Sequence, residues 1–563
     1  MLKELKKEFS REISKEFGID TKRVMQSFSV PKEEFGDIAT NIAFAIAKEQ
    51  KKNPVEIAEK LCEILKQNKF TQKISTAGPY VNVYLRSGFY HEALKKIQKE
   101  KGNFGRGGKT KETIMVEFFH ANTHKGVHIG HIRNISLGEA LSKILEFNGK
   151  KVIRVNYQGD IGPHVAKCLW GFINLYNQKA PKENRGIWLG KVYFEASKKI
   201  QGNIELEQEV QKINQKLYSN DLNLTKIWKE TREWCLDDFE KFYLEFGVKF
   251  DELYFESQVE KLGKKISLEL LKEGIAKKDQ NAVIMDLRDD DLGVFVLITR
   301  EGYPLYSAKD LGLAKIKFDK YKLDKSIHVV GKEQEFHFRQ LFKTFEKMGF
   351  LEAWKKSYHL IYELVMLPEG KMSSRDGTMV LYEDLKNKLI ERTKEEIKKR
   401  HLDWDEIEIN NIAKKIALAA MKFAMIKIEN NKTLVFDWEN ALNLEGETGP
   451  YIQYAYVRTK SILEKENRFD LKKCELDENE KRIIRKMCEF EEIVQKCSED
   501  LSVYNLCEYL LDMANSFNKF YTTSPVLTAE NEKKDLRLAI VSCSSQILKN
   551  GLELIGIECL DKM

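Results

Sequence analysis

The sequence predicts an α/β protein in three parts, and three patterns along its 563 residues carry that prediction. Between 112 and about 380, strand-like segments alternate with helical ones, the arrangement of a parallel sheet flanked by helices. Before them, residues 1–86 mix helical stretches with an alternating one, PYVNVYL, that reads as a strand, so this part is α+β. From 386 to 563 apolar residues keep helical spacing almost throughout, which predicts an all-α bundle. A chain of this length exceeds one ordinary core, and three domains, 1–86, 107–385 and 386–563, fit it.

The elements follow in order. MLKELKKEFSREISKEFG is an amphipathic, charged helix without the continuous apolar core of a signal peptide. NIAFAIAKEQKKNPVEIAEKLCEIL is helical again. KEKGNFGRGGKTKE is a glycine-rich basic connector; it lacks the GK[ST] ending in a helix that a phosphate loop needs. ETIMVEFF reads as a strand, and the stretch from His131 to Phe147 as a helix stopped at Asn148-Gly149. KVIRVNY, AVIMDL, GVFVLIT and SIHVVG continue the alternation that predicts the parallel, Rossmann-like sheet. Residues 165–250, charged and helical, read as an insertion between its strands.

Composition narrows the class. Hydrophobic residues at 42% and aromatics at 10% supply ample core, and nine prolines without low-complexity tracts argue against long disordered linkers. The net charge of +7, from 94 basic against 87 acidic residues, suits a polyanionic partner without demanding one. Nine cysteines stand singly with no CxxC pair, which points to a reducing, cytoplasmic compartment and no cysteine-built zinc site. No run of eighteen apolar residues occurs, so no membrane span is expected.

Residues 120–134, HANTHKGVHIGHIRN, hold four of the ten histidines. The stretch joins a strand to a helix N-terminus at the carboxyl end of a parallel strand, where doubly wound folds bind nucleotides and where backbone N–H groups and the helix dipole favour phosphate. His128 and His131 would each donate an N–H to a triphosphate as negative charge grows on it. Gly130, lacking a Cβ, lets the backbone approach a base or ribose. Taken singly, a loop histidine is more often a satisfied structural residue. Histidines at i and i+3 without a nearby carboxylate also make a poor zinc site, so no protein-held metal is expected. A second stretch, LPEGKMSSRDG at 367–377, leads from a proline-glycine turn into a polar loop, suiting a lid that brings Lys371 onto phosphates. Alone, it would read as a surface turn.

HIGH followed some 240 residues later by KMSS resembles the class I aminoacyl-tRNA synthetases, and over nearly its whole length the chain resembles the arginyl-tRNA synthetases. EEFGDIATNIAFAIAK and AGPYVNVYL resemble that family's appended N-terminal domain, which contacts the tRNA corner. VEFFHANTHKGVHIGHIRN and VNYQGDIG resemble its nucleotide site. FDWENALNLEGETGPYIQYAYVR, FNKFYTTSPVL and GLELIGIECLDKM resemble its anticodon-binding helical domain. The resemblance implies activation of arginine by ATP with Mg²⁺, giving arginyl-adenylate and pyrophosphate, then transfer to tRNA-Arg by a cytoplasmic enzyme working as a monomer. Two other classes stay open. One is an adenylyltransferase of smaller molecules, which would have no use for the helical domain; the other is a tRNA-binding paralogue without activity, against which the intact motifs argue.

The resemblance also assigns residues. A guanidinium needs carboxylates held as a fork. In LYSAKD, Asp310 would bind it and Tyr306, four residues away and on the same helical face, would line the pocket. FDELYFES offers Glu256 as a second acid, and VVGKEQEFHF offers Gln334 near the substrate's backbone groups. Asn122 would hold the α-amino or carboxylate end, with Glu117 a further candidate. Each has a plainer reading: Ser307 to Asp310 fits a capping box, Glu256 an exposed acid, Gln334 a helix start and Tyr306 core. The family's KMSK becomes KMSS here, with Ser374 followed by Arg375, and Lys125 stands where a lysine before the histidine motif can serve the phosphates instead. In the helical domain Tyr456, Phe517 and Tyr521 are candidates to stack on anticodon bases, though aromatics at helical spacing are more often core.

Overall fold

A computed structural model describes residues 1–368 and 380–563. The amphipathic start forms the helix Leu2–Phe17, which buries Leu2, Leu5, Phe9 and Ile13 and ends at Gly18 in the left-handed conformation. With the helices Ile42–Gln50 and Pro54–Lys66 it covers a four-stranded antiparallel sheet in the order Phe28–Ser29, Ile38–Thr40, Tyr80–Leu85, Thr71–Ala77. Asp37 locks this unit to the helical domain: it accepts from Tyr90 Oη and from Arg485 Nη1 at 2.8 Å.

The central sheet is parallel, with strand order Ser357–Tyr362, Lys325–Gly331, Thr113–Glu117, Lys151–Gln158, Glu252–Phe255. The chain leaves the middle strand, fills one side of the sheet, then returns to the other side of Thr113–Glu117. That reversal is the switch point at which doubly wound sheets open a crevice at their carboxyl ends. The expected insertion appears as four helices, Pro163–Asn174, Arg185–Ile200, Ile204–Tyr218 and Leu222–Phe246, between the last two strands of that order.

AVIMDL and GVFVLIT do not join the parallel sheet, which corrects that part of the sequence reading. Ala282–Asp286 and Val294–Ile298 pair antiparallel, with Lys277–Asp279 completing a separate three-stranded sheet. Only residues 287–293 link the two longer strands, too few for the crossover that a parallel pair requires.

The helix Ile129–Phe147 runs through the centre of the molecule, packed on the sheet and on the helices Glu406–Ile426, Glu478–Asp500 and Asn531–Leu554. Being covered on both sides, it is buried nearly all round, and several of its polar residues find partners inside. Asn134 accepts from the Phe119 N–H and donates to Val329 O at 2.7 Å, fixing the helix start to two strand ends. Glu139 takes Arg154 at 2.8 Å. The C-terminal part is helical, as expected, with Gly449–Lys465 and Tyr504–Thr523 completing the bundle.

Two helices cross backbone to backbone beside the crevice. In Glu256–Lys272 and Tyr306–Lys320, a Cβ at Gly263 would run into Ala308 O, and one at Gly312 would stand 2.7 Å from Val259 O. Side chains would force these axes apart. Gly263→Ala is therefore expected to destabilise the chain by about 1–3 kcal/mol, the cost of overpacking, read as a lower denaturant midpoint. Gly88→Ala, where a methyl meets nothing within 4 Å, is the control. Equal midpoints for the two variants would mean the crossing tolerates separation.

Candidate active site

The histidine loop builds one cavity of about 450 Å³, walled by Lys125, His128, His131 and, from the insertion, Lys191, Tyr193 and Phe194. His128 is the N-cap of the central helix. Gly130 N–H donates to His128 Nδ1 at 3.1 Å, and His128 N–H donates to His131 Nδ1 at 3.1 Å. Each Nδ1 is thus an acceptor used up by backbone, which fixes the tautomer and leaves each ring with an Nε2–H to offer a ligand. The rings lie 3.7 Å apart between centroids. Burial, with the Lys125 ammonium adding to it, pushes His128 down to about 4; burial also holds His131 well below its ordinary value. Both imidazoles are neutral donors at neutral pH. A Cβ on Gly130 would crowd the His128 ring at 3.0 Å. The backbone is in the left-handed region at Phe119, His120 and His124, a cost that non-glycine residues bear where geometry is held for use.

Lys371, with Ser374 and Arg375, lies outside the described residues. Immediately after that segment, Ile129 N–H donates to Val380 O at 3.2 Å and Tyr382 N–H to Val127 O at 2.9 Å. The chain that follows that segment is thus paired with the histidine loop. Lys125 Nζ stands 5.2 Å from the centre of the Tyr193 ring, so the insertion holds this lysine at the cavity wall.

A second cavity, about 370 Å³, opens over the carboxyl ends of the strands. It gathers Glu117, Asn122, Glu256, Tyr306, Asp310 and Gln334, all six residues the sequence put forward for one pocket. Asn122 lines both cavities, and its Oδ1 accepts from Gly159 N–H at 3.1 Å. Asp310 does not cap its helix: the cap residue is Leu305, and Ser307 Oγ bonds Val296 O. The Asp310 Oδ2 instead accepts from His337 Nε2 at 2.7 Å. Tyr306 is 59% exposed at the mouth rather than core, its ring 5.2 Å from that of His337. Gln334 ends the turn Lys332–Gln334 and makes no side-chain cap.

The three pocket carboxylates differ in their partners. Glu117 is buried, which disfavours its charge, yet the Lys317 ammonium and His328 hold it well below the usual carboxylate range. Glu256 accepts from Lys309 Nζ at 2.7 Å; burial still pushes its carboxyl up against that cation. Among the described residues Asp310 has only the His337 imidazole. Tyr157 and His120 also line this cavity, and among the described residues Tyr157 Oη and His120 Nε2 have no hydrogen-bond partner. Sequence reasoning missed His337, Tyr157, His120 and the cations Lys309 and Lys317. His337 had one signal, its spacing three residues after Gln334, which places both on one helical face.

Family models match the chain in three consecutive stretches. "Arginyl tRNA synthetase N terminal domain" covers residues 3–85, "tRNA synthetases class I (R), catalytic domain" covers 93–438, and "DALR anticodon binding domain" covers 452–563. The chain belongs to the arginyl-tRNA synthetase family. It is 34% identical to an arginine–tRNA ligase of Bdellovibrio bacteriovorus, over 95% of this chain and 93% of that one. With an arginine–tRNA ligase of Clostridium acetobutylicum it shares 30%, over 99% and 100%. The solved arginyl-tRNA synthetase of Thermus thermophilus superposes with a TM-score of 0.84 at 25% identity, covering 100% of each chain. ATP use comes with membership of this class.

In the domain matched by the anticodon-binding model, two aromatic assignments need correction. Phe517 is fully buried and Tyr456 is 6% exposed, both packed in the bundle core, so neither ring faces a base. Tyr521 is 41% exposed, with the Arg458 guanidinium 5.1 Å from its ring centre. Among the described residues, no helix is long and apolar enough to cross a membrane.

Burial lowers His124 and His164 to about 3, as it lowers His128 to about 4. Unfolded imidazoles titrate near 6.5, so below that pH the unfolded chain binds protons that the folded one refuses. The stability these groups contribute is complete above pH 6.5 and is lost as pH falls towards 4. The melting temperature is expected to drop steadily across that window; a flat profile from pH 6.5 to 4 would contradict the neutral, buried assignment.

Proposed function

We propose that the two cavities hold the two substrates of one reaction, arginine over the strand ends and ATP at the histidine loop, with Asn122 at their junction. The observation that carries this reading is the state of Asp310. Of the three carboxylates around the pocket, Glu117 and Glu256 are matched by lysines, and among the described residues Asp310 is met by an imidazole alone. A site with one carboxylate unmatched by lysine or arginine among the described residues, a tyrosine ring at its mouth and apolar walls suits a guanidinium on an aliphatic stem.

The chemistry is adenylate formation followed by acyl transfer. The arginine carboxylate attacks the α-phosphorus of ATP; the bond to the bridging oxygen breaks, and pyrophosphate leaves with the electron pair. The terminal ribose hydroxyl of tRNA-Arg then attacks the carbonyl of the mixed anhydride, and AMP leaves. No protein nucleophile is required. The protein aligns the reactants and meets the charge that develops on phosphate. The Nε2–H groups of His128 and His131, the Lys125 ammonium and Lys371 serve this role, while Mg²⁺ arrives on the triphosphate as part of the nucleotide substrate. Support for Lys371 comes from the pairing of Val380 and Tyr382 with the histidine loop. Glu117, bound to Lys317 and His328, shapes the pocket floor and is less available to the α-amino group than Asn122. The N-terminal domain and the exposed Tyr521 edge of the bundle engage tRNA, along the division into 1–86, 107–385 and 386–563. The working form is a cytoplasmic monomer, a reading supported by nine free cysteines and by the presence of all the machinery in one chain.

Pyrophosphate exchange tests the reading against its rivals. Exchange is expected with arginine and no other amino acid, and to stay near background until tRNA-Arg is added, since tRNA binding energy is used to arrange the pocket. Strong exchange without tRNA would sink the coupling while leaving arginine as substrate, whereas exchange driven by another amino acid would sink the pocket assignment.

Asp310→Asn keeps shape and removes the charge. Leaving a buried cation poorly paired costs roughly 3–5 kcal/mol, so the KM for arginine is expected to rise on the order of 10²–10⁴-fold while that for ATP barely moves. Normal arginine kinetics in a variant that merely melts earlier would make Asp310 a structural residue.

A further inference from the structure

We infer that His337 is a positioning residue for arginine recognition: it orients the Asp310 carboxylate by a hydrogen bond and leaves its second oxygen for the guanidinium. The inference rests on the reading of Asp310 given above. His337 Nε2 lies 2.7 Å from Asp310 Oδ2, and an ionised carboxylate can only accept, so the imidazole donates. An imidazole N–H fixes one oxygen in space without the permanent charge of an ammonium or guanidinium. A lysine or arginine in the same place would fix the oxygen and also cancel the charge, as Lys309 does for Glu256 and Lys317 for Glu117. The remaining Asp310 oxygen is then presented at a set angle, which is what fork-like binding of a planar guanidinium demands.

The ring itself is held. His337 belongs to the helix Glu335–Lys347 and is wedged between aromatics: Phe295 at 5.3 Å, Tyr306 at 5.2 Å and Phe338 at 5.7 Å between centroids. Phe295 comes from the antiparallel sheet and Tyr306 from the same helix as Asp310, so three elements set the imidazole before substrate arrives. His337 and Gln334 lie one helical turn apart and both line the cavity. The helix start after Lys325–Gly331 thereby supplies one residue to the substrate and one to the residue that recognises it.

His337→Phe keeps the aromatic packing and removes the donor; His337→Gln gives up the ring and keeps an N–H. Both variants, with Asp310→Asn alongside, are measured as full-length enzyme in aminoacylation of tRNA-Arg, with KM for arginine, KM for ATP and kcat determined separately and folding checked by thermal melting. His337→Phe is expected to raise the KM for arginine roughly tenfold or more, the scale of one hydrogen bond to a charged group, with kcat and the KM for ATP within about twofold. His337→Gln is expected to recover most of that loss. The inference is overturned if the phenylalanine variant binds arginine normally, or if both His337 variants are impaired alike, which would make the ring a packing element. If Asp310→Asn leaves the arginine KM unchanged, the guanidinium assignment itself fails. An effect of His337→Phe in that same outcome would show that the histidine acts other than through Asp310.

Discussion

A carboxylate stays ionised inside a protein only if something meets its charge, and the cavity proposed for arginine is organised by that constraint. One helix, Tyr306–Lys320, supplies both sides of the account. Its Lys309 and Lys317 reach outward to Glu256 and Glu117, while Asp310 turns to an imidazole. Tyr306, Asp310, Ala314 and Lys317 fall at helical spacings of four, four and three, so a single stripe runs along the cavity from mouth to floor. Ionic pairs at the floor and side therefore hold the walls without competing for a cationic ligand. In the proposed reading, charge selectivity follows from how cations are shared out, more than from how many acids are present.

Rigid placement of that stripe depends on backbone contact. Gly263 and Gly312 let the helices bearing Glu256 and Asp310 cross without intervening side chains, so the distance across the pocket is set by main chain instead of by rotamers. The nucleotide side uses a related device. His128 and His131 spend their Nδ1 atoms on backbone N–H groups at the first turn of a helix that is buried on both sides. Helix capping and ligand donation become one arrangement, because the cap fixes which nitrogen carries the proton.

Much of this was legible in the sequence, for reasons that differ from element to element. The parallel strands, the central helix and its stop at Asn148-Gly149 follow from periodicity and punctuation, which are local. The hairpin of 282–298 was misassigned because an apolar run of five residues looks the same in either sheet; only the short link distinguishes them. The pocket residues were named through resemblance, since Glu117, Glu256 and Asp310 sit far apart along the chain and nothing local joins them. The partners that give each acid its character were not readable. Lys309 and Asp310 are neighbours in sequence, yet they face different helices, and a sequence does not state which carboxylate a lysine will meet.

The aromatic residues of the bundle make the same point from the other direction. Phe517 and Tyr521 are one turn apart on Tyr504–Thr523, and their rings stack at 6.4 Å. Both were candidates to stack on bases, but a helix lying along a bundle edge carries one residue of such a pair inward and lets the next reach the rim. Tyr521 at that rim meets Arg458, which is itself held by Asn518 at 2.6 Å and by Tyr454 at 3.1 Å. A half-exposed ring beside a fixed guanidinium can stack and hydrogen-bond, whereas a fully buried ring can only support it. The N-terminal domain docks on the neighbouring helix Glu478–Asp500 through Lys6 to Glu492 at 2.7 Å and Arg485 to Asp37 at 2.8 Å. The two parts that the family reading assigns to tRNA thus share a continuous core with the central helix that carries the histidines.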